Sequence, residues 1–361
     1  MKSYSIIGGG LAGLSLAARL VLAGEKVTLI DDASPSGASR LAAGMFNIVT
    51  GKHAVKTWLS EELLAALTAF FEIPVFAELK QYLHYQPLYR PFKDIGEYND
   101  WLGKGNSPAL ATYIRFQHTE IYPNFFANPL GGIFIDKCGW LDTGGFLEGL
   151  LSILKDYPHF QYIEKKVVSQ QISLTEQVIS LEGNPLPFDE LILANGWQVS
   201  QADSLWQIPL LPVKGEILRI YAPDLQLPFL LSGKIYVIPT GNEHFIAGAT
   251  YEWDFADTEP TQAGKAQLCS HLDELLKKKY TIISHQAGIR PATHDRRPVL
   301  GTHPQFPHLH VFTGFGTKGV LSFAYFSEKM VAYLQGKQGL EKEYDIQRYY
   351  RKGRIQLAGN S

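Results

Sequence analysis

The feature that most constrains this chain is a set of three glycines near its start. Gly8, Gly10 and Gly13 follow a short apolar segment, Ser3 to Ile7, and open a segment of helical composition, Leu11 to Ala23. Gly8 permits a tight turn, Gly10 lets a ligand approach the backbone, and Gly13 allows a helix to pack closely on a strand. This order predicts a buried strand, a turn and a helix, the first half of a βαβ unit.

A second predicted strand, Lys26 to Asp31, completes the unit and ends in an acidic residue. The amides of the helix start, at Leu11 and Ala12, are suited to phosphate, and Asp31 to a ribose hydroxyl. The unit therefore predicts a dinucleotide site, with a glycine turn that binds nothing as the alternative. Asp32 is kept in the candidate set as a solvated carboxylate. The motif alone does not separate NAD from FAD.

The rest of the chain alternates between α/β and β-rich regions without an internal repeat. Residues 81–131, rich in aromatics and proline, are interpreted as irregular strands and loops. Helices are predicted at about Trp58 to Phe71, Thr143 to Lys155, 262 to 279, and Gly319 to Leu334. This order predicts two interleaved domains. We expect a discontinuous dinucleotide-binding domain from residues 1–80, 132–208 and 288–361, and a substrate domain from residues 81–131 and 209–287.

Composition narrows the class of protein. The formal net charge of −2 and the pI near 6.6 lack the basic excess of a nucleic-acid binder. The only basic run, Lys277 to Lys279, is interpreted as the solvated end of a helix. Two widely separated cysteines, Cys138 and Cys269, offer no disulfide framework or zinc spacing and suit a reducing compartment. With no signal peptide or membrane span visible, we expect a soluble, cytoplasmic protein.

A second segment connects the motif to a known family. Ser39, Arg40 and Leu41 precede Ala42, Ala43, Gly44 and Met45 in the run SRLAAGM. This run resembles the second FAD-contact segment of the D-amino-acid oxidase and glycine oxidase family. Ser39 and Arg40 can contact ribose or phosphate, and the small residues after them let a flat ring lie against the backbone. An ordinary small-residue loop is the alternative.

Three further stretches resemble the same family, in the family's order, so that the resemblance spans residues 3 to 335. Val167 lies where the family contacts adenine through the backbone, and GIRP at Gly288 to Pro291 resembles part of its C-terminal signature. The other matching residues are Ala194, Asn195, Gly196 and Trp197, and Gly314, Phe315, Gly316, Thr317, Lys318, Gly319 and Val320. The resemblance implies an α/β fold: a Rossmann-like GxGxxG FAD-binding domain interleaved with a mixed or antiparallel-sheet substrate domain.

The cofactor implied is non-covalent FAD. Some relatives attach the flavin through a His just before the Ala-Ala-Gly run, where this chain has Leu41. Others use a C-terminal Cys, and the segment from Gly288 to Gly319 has none.

The resemblance also implies three residues of the substrate site. Arg290 corresponds to the Arg that grips a substrate carboxylate, although it could instead pair with Asp295. Tyr236 corresponds to a Tyr that binds the same carboxylate, although it could be an ordinary half-buried strand residue. Lys318 lies in a loop that the family threads past the flavin pyrimidine, where a cation would stabilise the reduced anion; a solvated surface lysine is the alternative.

Two clusters have simpler interpretations. His84, Arg90 and nearby aromatics could roof a pocket, but packing of a proline-rich segment is preferred. His294, His303, His308 and His310 are irregularly spaced, and we predict no metal.

The family implies oxidation of a C–N bond of a small amine or amino acid to an imine, by hydride transfer to flavin N5, with O2 or another acceptor taking the electrons. The alternatives are an oxidase acting on an amine-bearing modified tRNA uridine, and a non-catalytic FAD-binding module. An NAD-dependent dehydrogenase is disfavoured by the later segments. We expect a small-molecule substrate, no nucleic-acid partner and an oligomeric state that the sequence does not indicate.

Overall fold

The fold consists of two large sheets joined by repeated crossings of the chain. The computed structural model describes residues 1–34, 37–50, 55–105, 107–351 and 353–355. Pro35 and Ser36, which belong to the loop predicted before Ser39, lie outside the described residues.

The first sheet is α/β and begins with the predicted βαβ unit. Within the described chain it has six strands, of which five are parallel and the last is antiparallel to its neighbour. Their order is Phe160–Glu164, Lys26–Asp31, Ser3–Ile7, Glu190–Leu193, Leu309–Thr313 and Val299–Thr302. Adjacent sequence positions serve opposite faces, since Ile6 packs on the helical side and Ile7 on the other.

Helices cover one face of this sheet. Leu11–Leu22 packs against Gly319–Leu334, and aromatic residues such as Phe70 and Phe323 fill the space beside them. The covering helices are Leu11–Leu22, Ser60–Glu72, Thr143–Lys155 and Gly319–Leu334, and the 3-10 helix Pro74–Tyr82 adjoins them. The small sheet Ile172–Ser173, Val178–Leu181 and Asn184–Pro187 contributes to the core on the opposite face.

The second sheet is largely antiparallel. Eight described strands form it, with one parallel junction between Leu88–Pro91 and Leu230–Ser232. Their order is Thr281–Arg290, Val213–Tyr221, His244–Gly248, Tyr236–Gly241, Leu230–Ser232, Leu88–Pro91, Gly132–Ile135 and Ile114–Gln117. The predicted fold class, a Rossmann-like unit interleaved with a mixed sheet, is confirmed.

Shorter elements connect the sheets. The short strands are Met45–Phe46, Leu83–Tyr85 and Gly139–Leu141, which form one sheet, and Val49–Thr50 with Val55–Lys56. The remaining helices are Ala38–Leu41, Ile95–Gly105, Gln262–Leu275 and Gln347–Arg351, and the 3-10 turns are Ser169–Gln171, Gly196–Ser200 and Gly316–Lys318.

The structure corrects two expectations. The helix predicted over 262–279 ends at Leu275, because Leu276 bridges to Phe126 and the Lys277 amide donates to Phe125 O at 2.8 Å. The basic run therefore lies beyond the helix. Residues 81–131, interpreted as strands and loops, also contain the helix Ile95–Gly105.

The domain division stays a prediction. Gly132–Ile135 lies in the second sheet, so a division by sheet membership would move the predicted boundary from 132 to beyond 135. Among the described helices, none has the length and apolar character that crossing a bilayer demands.

Candidate active site

A cavity of about 1050 Å³ lies between the carboxyl ends of the parallel strands and the second sheet. In open α/β sheets this edge is where ligands bind. Every residue predicted to contact the cofactor lines this cavity, with the exception of Gly13. These lining residues are Gly8, Gly10, Leu11, Ala12, Asp31, Asp32, Ser39, Arg40, Ala42, Ala43, Gly44, Met45, Val167, Ala194, Asn195, Gly196, Trp197, Arg290, Gly314, Phe315, Gly316, Thr317, Lys318, Gly319 and Val320.

The glycine turn has the geometry that its sequence predicts. Gly8 adopts a φ of +109°, in the region that favours glycine, and its amide donates to Ile30 O at 2.8 Å. A Cβ at Gly13 would lie 1.8 Å from the Gly8 carbonyl oxygen. Gly13 thus serves helix packing, which explains why it lies outside the cavity wall.

The helix beyond the turn presents its amino end to the cavity. Gly10 is its N-cap and offers no side chain, and the first turn carries no acidic residue. The Leu11 amide donates to Ser39 Oγ at 3.1 Å, and the first intrahelical bond runs from Leu14 to Gly10. The amides of Ala12 and Gly13 therefore precede the hydrogen-bonded helix and carry the positive end of its dipole.

Asp31 is bound within the chain as well as facing the cavity. Its carboxylate accepts hydrogen bonds from the Gly9 amide at 2.8 Å and the Ala33 amide at 3.2 Å. Arg40 Nη2 lies 3.2 Å from Asp31 Oδ2. The carboxylate is thereby held in place at the strand end, with acceptor capacity left for a hydroxyl. Asp32 accepts from the Ser34 amide at 3.1 Å.

The SRLAAGM segment folds as one helical turn, Ala38–Leu41, followed by an extended stretch. Gly44 has a φ of +72°, and a Cβ there would lie 1.8 Å from Leu141 O. Thr143 Oγ1 donates to Ala42 O at 3.1 Å. These contacts fix the small residues against the rest of the fold, so their backbone forms a smooth cavity wall.

The segment after the strand Glu190–Leu193 forms another part of the wall. The Ala194 amide donates to Ile7 O at 2.8 Å, and Thr313 Oγ1 donates to Gly196 O at 3.0 Å. Asn195 Oδ1 is buried without a hydrogen-bond partner within the protein. A buried polar atom with no partner is rare, and this one belongs to a cavity-lining residue.

Two cations line the cavity near the start of the helix Gly319–Leu334. Lys318 Nζ donates to Thr57 Oγ1 at 3.2 Å. Burial, and to a lesser degree the charge of Arg296, lowers the pKa of Lys318. Lys318 is therefore not the fully solvated surface lysine of the alternative interpretation. Arg296 also lines the cavity, and the sequence reasoning did not select it.

Arg290 lies on the opposite wall, at the end of the strand Thr281–Arg290. Its guanidinium stands over Gly215 of the neighbouring strand, where a Cβ would lie 2.1 Å from Nη1. Nη1 donates to Thr250 O at 3.3 Å, and the guanidinium carbon lies 4.8 Å from the centre of the Tyr251 ring. The alternative partner Asp295 instead binds Arg348, with Nε 3.0 Å from Oδ2. Arg290 thus faces the cavity, and no carboxylate among the described residues pairs with it.

Tyr236 lines the same wall, and two strands lie between its strand and that of Arg290. It pairs with Gly248, which pairs in turn with Ile217 on the strand next to Arg290. Burial raises the pKa of Tyr236 to about 12, although the charge of Arg290 opposes the shift. Its hydroxyl therefore stays protonated at neutral pH and can donate a hydrogen bond to an anion.

Of the two other clusters, only His294 lines the cavity, and the remaining residues lie outside this site. His84 stacks on Trp140 with ring centres 4.3 Å apart, and Arg90 binds Glu97 at 2.6 Å. Neither residue lines the cavity, so packing stays the preferred interpretation of this segment. His310 bonds Glu190 at 2.9 Å, and the part of the chain with defined coordinates contains no metal-binding group of three or more His, Cys, Asp or Glu.

The sequence reasoning missed several lining residues of the second sheet, among them Ile217, Gln286, Tyr251 and Trp253. Strand periodicity could have found the first two, because Val213, Gly215 and Ile217 alternate, as do Gln286, Gly288 and Arg290. Tyr251 and Trp253 lie in a loop without periodicity.

The lining fits a dinucleotide cofactor with a flat ring. An open helix end, an acid at the second strand, small-residue segments and the unpartnered Asn195 all face one cavity. The opposite wall carries Arg290 and Tyr236, which suit a substrate anion.

Comparison with known proteins agrees with this geometry. The sequence model of the family described as FAD dependent oxidoreductase matches residues 3–334. The chain is 28% identical to the bifunctional protein ThiO/ThiG of Nostoc sp. over 89% of its own length and 50% of that protein. It is 27% identical to the tRNA 5-methylaminomethyl-2-thiouridine biosynthesis bifunctional protein MnmC of Marinobacter nauticus over 88% of its length and 53% of that protein. The chain thus spans about half the length of these two relatives.

A shorter relative matches over most of both chains. Glycine oxidase of Pseudomonas aeruginosa is 24% identical over 88% of this chain and 90% of its own. The crystal structure of iminodiacetate oxidase from Chelativorans sp. BNC1 superposes with a TM-score of 0.77 at 21% identity, covering 94% of this chain and 98% of that one. Glycine oxidase from Bacillus cereus superposes with the same TM-score at 20% identity, covering 94% and 96%. These structures share the fold.

The matched region includes the glycine turn, the small-residue segments and both walls of the cavity. The chain therefore belongs to the family of FAD dependent oxidoreductases, and it is an enzyme whose cofactor is FAD.

Proposed function

We propose that this enzyme oxidises the C–N bond of a small amine or amino acid to an imine, which water then hydrolyses. The observation that carries the proposal is Arg290, a cavity-facing guanidinium that has no carboxylate partner in the described part of the chain and lies on the wall opposite the proposed cofactor segments. A guanidinium fork suits a substrate carboxylate, and the protonated Tyr236 hydroxyl can donate to the same group.

Bound FAD supplies the two-electron acceptor for this reaction. The helix start at Gly10 to Gly13 and Asp31 would hold its phosphates and ribose, and the segment Ala42 to Met45 would contact its ring. Arg290 and Tyr236 orient the substrate by one end, so that the carbon bearing the amine is presented to the opposite wall. Lys318 supplies positive charge on the cofactor side of the cavity.

Other features support a small-molecule substrate. The relative from Pseudomonas aeruginosa is named glycine oxidase, and the structural neighbour from Chelativorans is named iminodiacetate oxidase. The electrons would pass from the cofactor to O2 or another acceptor. Cys138 and Cys269 are both free, which supports the proposal of a reducing, cytoplasmic compartment.

The test is an anaerobic screen of the yellow holoprotein with amino acids and N-methylated amines, following loss of flavin absorbance. We expect at least one compound that carries both an amine and a carboxylate to bleach the flavin. Bleaching by none of them would overturn the proposal.

A second candidate is oxidation of an amine on a modified tRNA uridine, favoured by the 27% identity to MnmC. The net charge of −2 weighs against it. Salt-sensitive binding of tRNA to the holoprotein would support this candidate over the first.

A further inference from the structure

The loop of residues 250–261, here called the strap, carries two large aromatic side chains into solvent at the cavity. It joins the strand His244–Gly248 to the helix Gln262–Leu275. Tyr251 is 55% exposed and Trp253 67%, yet both line the cavity. Large exposed aromatic surface beside a cavity is a feature of binding sites.

We propose that the strap is a specificity subsite that binds a flat, uncharged aromatic group of the substrate, beyond the carboxylate held by Arg290. This inference rests on the proposed function, because it takes Arg290 as the anchor of the substrate. It names the class of substrate: an amino acid or amine with an aromatic substituent rather than glycine alone.

The geometry connects the strap directly to the anchor. The Tyr251 ring centre lies 4.8 Å from the Arg290 guanidinium, and the Trp253 ring stacks on Tyr251 at 6.2 Å with 28° between the planes. The two rings continue outward from Arg290. A substrate held at Arg290 by its carboxylate would meet these rings with the part of the molecule that projects from the cavity.

The backbone of the strap is fixed at its start. The Thr250 amide donates to Glu216 O at 3.2 Å, and Thr250 Oγ1 accepts from the Glu216 amide at 2.9 Å. Glu252 and Lys214 exchange backbone hydrogen bonds of 2.9 and 3.0 Å. These bonds flank Tyr251 on both sides.

Two buried charged side chains beneath the sheet fix the strap further along. Glu216, 1% exposed, accepts from the amide and hydroxyl of Thr261 at 3.1 and 2.9 Å. Lys214 Nζ, 2% exposed, lies 3.5 Å from Asp257 Oδ1. The strap is therefore preorganised, which reduces the entropy that a ligand must offset on binding.

The charge of the strap selects against polyanions. Its sequence, TYEWDFADTEPT, contains four acids and no lysine or arginine. Asp254 and Glu259 are exposed beside the aromatic pair. A phosphate-bearing group would be repelled here, whereas a neutral aromatic ring would not.

The experiment compares propionate with 3-phenylpropionate, which share a carboxylate and carry no amine. Calorimetric titration of the FAD-loaded protein gives both dissociation constants without turnover. We expect 3-phenylpropionate to bind about tenfold tighter. Trp253→Ala should remove most of this ratio and leave propionate binding unchanged, while Trp253→Phe should keep most of it. Ile283→Ala, which changes another exposed apolar residue outside the cavity wall, is the control and should behave as wild type.

Equal binding of the two acids by wild type, binding of neither, or a ratio that survives Trp253→Ala would each overturn the inference. So would tight binding of a short RNA oligonucleotide that Trp253→Ala abolishes, since the occupant would then be a nucleic acid. The amine screen is independent of this titration. If the ratio depends on Trp253 and no amine bleaches the flavin, the subsite stands and the proposed reaction falls.

Discussion

At the scale of single residues, the candidate site depends on the charge and shape of individual side chains. Arg290 illustrates how far sequence reasoning reaches. The resemblance selected it, but the alternative partner Asp295 was plausible because it lies five residues away. The structure pairs Asp295 with Arg348, from the terminal helix, which no local pattern could indicate.

Replacing Arg290 with lysine should weaken substrate binding, because an ammonium lacks the planar fork that grips a carboxylate. We expect the KM for an amino-acid substrate identified in the screen to rise about 10- to 100-fold, with a smaller change in kcat. Steady-state kinetics measures both.

The matched control is Arg115→Lys. Arg115 lies on the edge strand Ile114–Gln117, outside the cavity wall, and pairs with Asp136. An Arg290→Lys enzyme with unchanged KM would show that the carboxylate binds elsewhere.

Lys318 belongs to the cofactor side, where positive charge favours the reduced anion of FAD. Lys318→Met should therefore lower the flavin midpoint potential and slow reduction, as read from a reductive titration against a reference dye. Lys329→Met, later on the same helix and away from the cavity, should leave the potential unchanged. An unchanged potential in Lys318→Met would refute the role.

At the scale of elements, sequence reasoning succeeds where local signals coincide with tertiary contacts. The helices Thr143–Lys155 and Gly319–Leu334 have the predicted bounds. Asp142 caps the first of them by accepting from the Gly145 amide. The helix Gln262–Leu275 ended early because a segment more than a hundred residues away pairs with its end, and a composition pattern contains no such information. The helix Ile95–Gly105 buries only Trp101 and Gly105, and its sequence, IGEYNDWLGKG, contains few apolar residues from which a helix could be predicted.

The contact between the first strand and first helix depends on Gly13. Gly13→Ala places a methyl group 1.8 Å from the Gly8 carbonyl oxygen, so the helix must move away from the turn. Its first amides would then no longer point at the phosphates of FAD. We expect loss of FAD binding by at least about tenfold and a lower melting temperature. Fluorescence titration with FAD and thermal unfolding measure the two effects.

Gly103→Ala is the control, because a Cβ there has no neighbour within 4 Å and the residue lies in a helix. It should be neutral or stabilise by about 0.5–1 kcal/mol. Full FAD affinity in Gly13→Ala would contradict the packing role.

The terminal helix Gln347–Arg351 is tied to the loop that carries Arg296. Arg348, 6% exposed, bonds Asp295 and also donates to Arg297 O and Pro298 O at 3.2 and 2.9 Å. Burial would raise the pKa of Asp295, but the Arg348 guanidinium, together with hydrogen bonds from the Arg297 amide and the Thr293 side chain, lowers it, and the net shift is downward.

Asp295→Asn should reduce the free energy of unfolding at pH 7 by about 2 kcal/mol, because a buried guanidinium loses its counter-charge. A carboxyl whose pKa is lowered in the folded state stabilises the fold at pH values above its pKa in the unfolded state. This stabilisation is lost as the pH falls through the lowered pKa of the folded state. The difference between wild type and Asp295→Asn should therefore shrink below about pH 4.

Urea unfolding of wild type and Asp295→Asn between pH 3 and pH 7 measures this difference in the free energy of unfolding. Asp156→Asn, at an exposed position, is the control. A difference that stays constant down to pH 3 would contradict the ion pair.

At the scale of the whole molecule, the alternation of α/β and β-rich regions predicts two interleaved domains, and the structure has two large sheets between which the chain crosses repeatedly. The positions at which the chain crosses between sheets were less predictable. Gly132–Ile135 resembles any short buried strand, and its place in the second sheet is decided by pairing with Leu88–Pro91. Apart from Arg290 and Tyr236, much of the second wall of the cavity was missed, because its residues come together only after distant strands pair.

Because the residues that we propose to contact FAD come from many parts of the chain, bound FAD should stabilise the whole fold. At a concentration a hundredfold above its dissociation constant, we expect about 2.7 kcal/mol of stabilisation and a melting temperature several degrees higher than in the FAD-depleted protein. NAD at the same concentration should have a much smaller effect. Scanning calorimetry with and without each nucleotide measures it, and equal shifts for FAD and NAD would contradict the cofactor assignment of the cavity.

The same preparation tests the prediction of non-covalent FAD. Acid precipitation should leave the yellow colour in the supernatant, whereas colour retained on the pellet would indicate a covalent bond.

The overlap between Gly215 and Arg290 has a consequence for how this enzyme can be redesigned or can diverge. Any side chain at 215 would occupy the space of the guanidinium, so the two positions exclude each other's larger residues. In a directed-evolution library that varies only position 290, small replacements would leave the space next to Gly215 unfilled. Varying positions 215 and 290 together would allow a larger residue at 215 beside a smaller one at 290. Because such a pair lacks the guanidinium that we propose to bind a carboxylate, it would allow a change from acidic to neutral substrates.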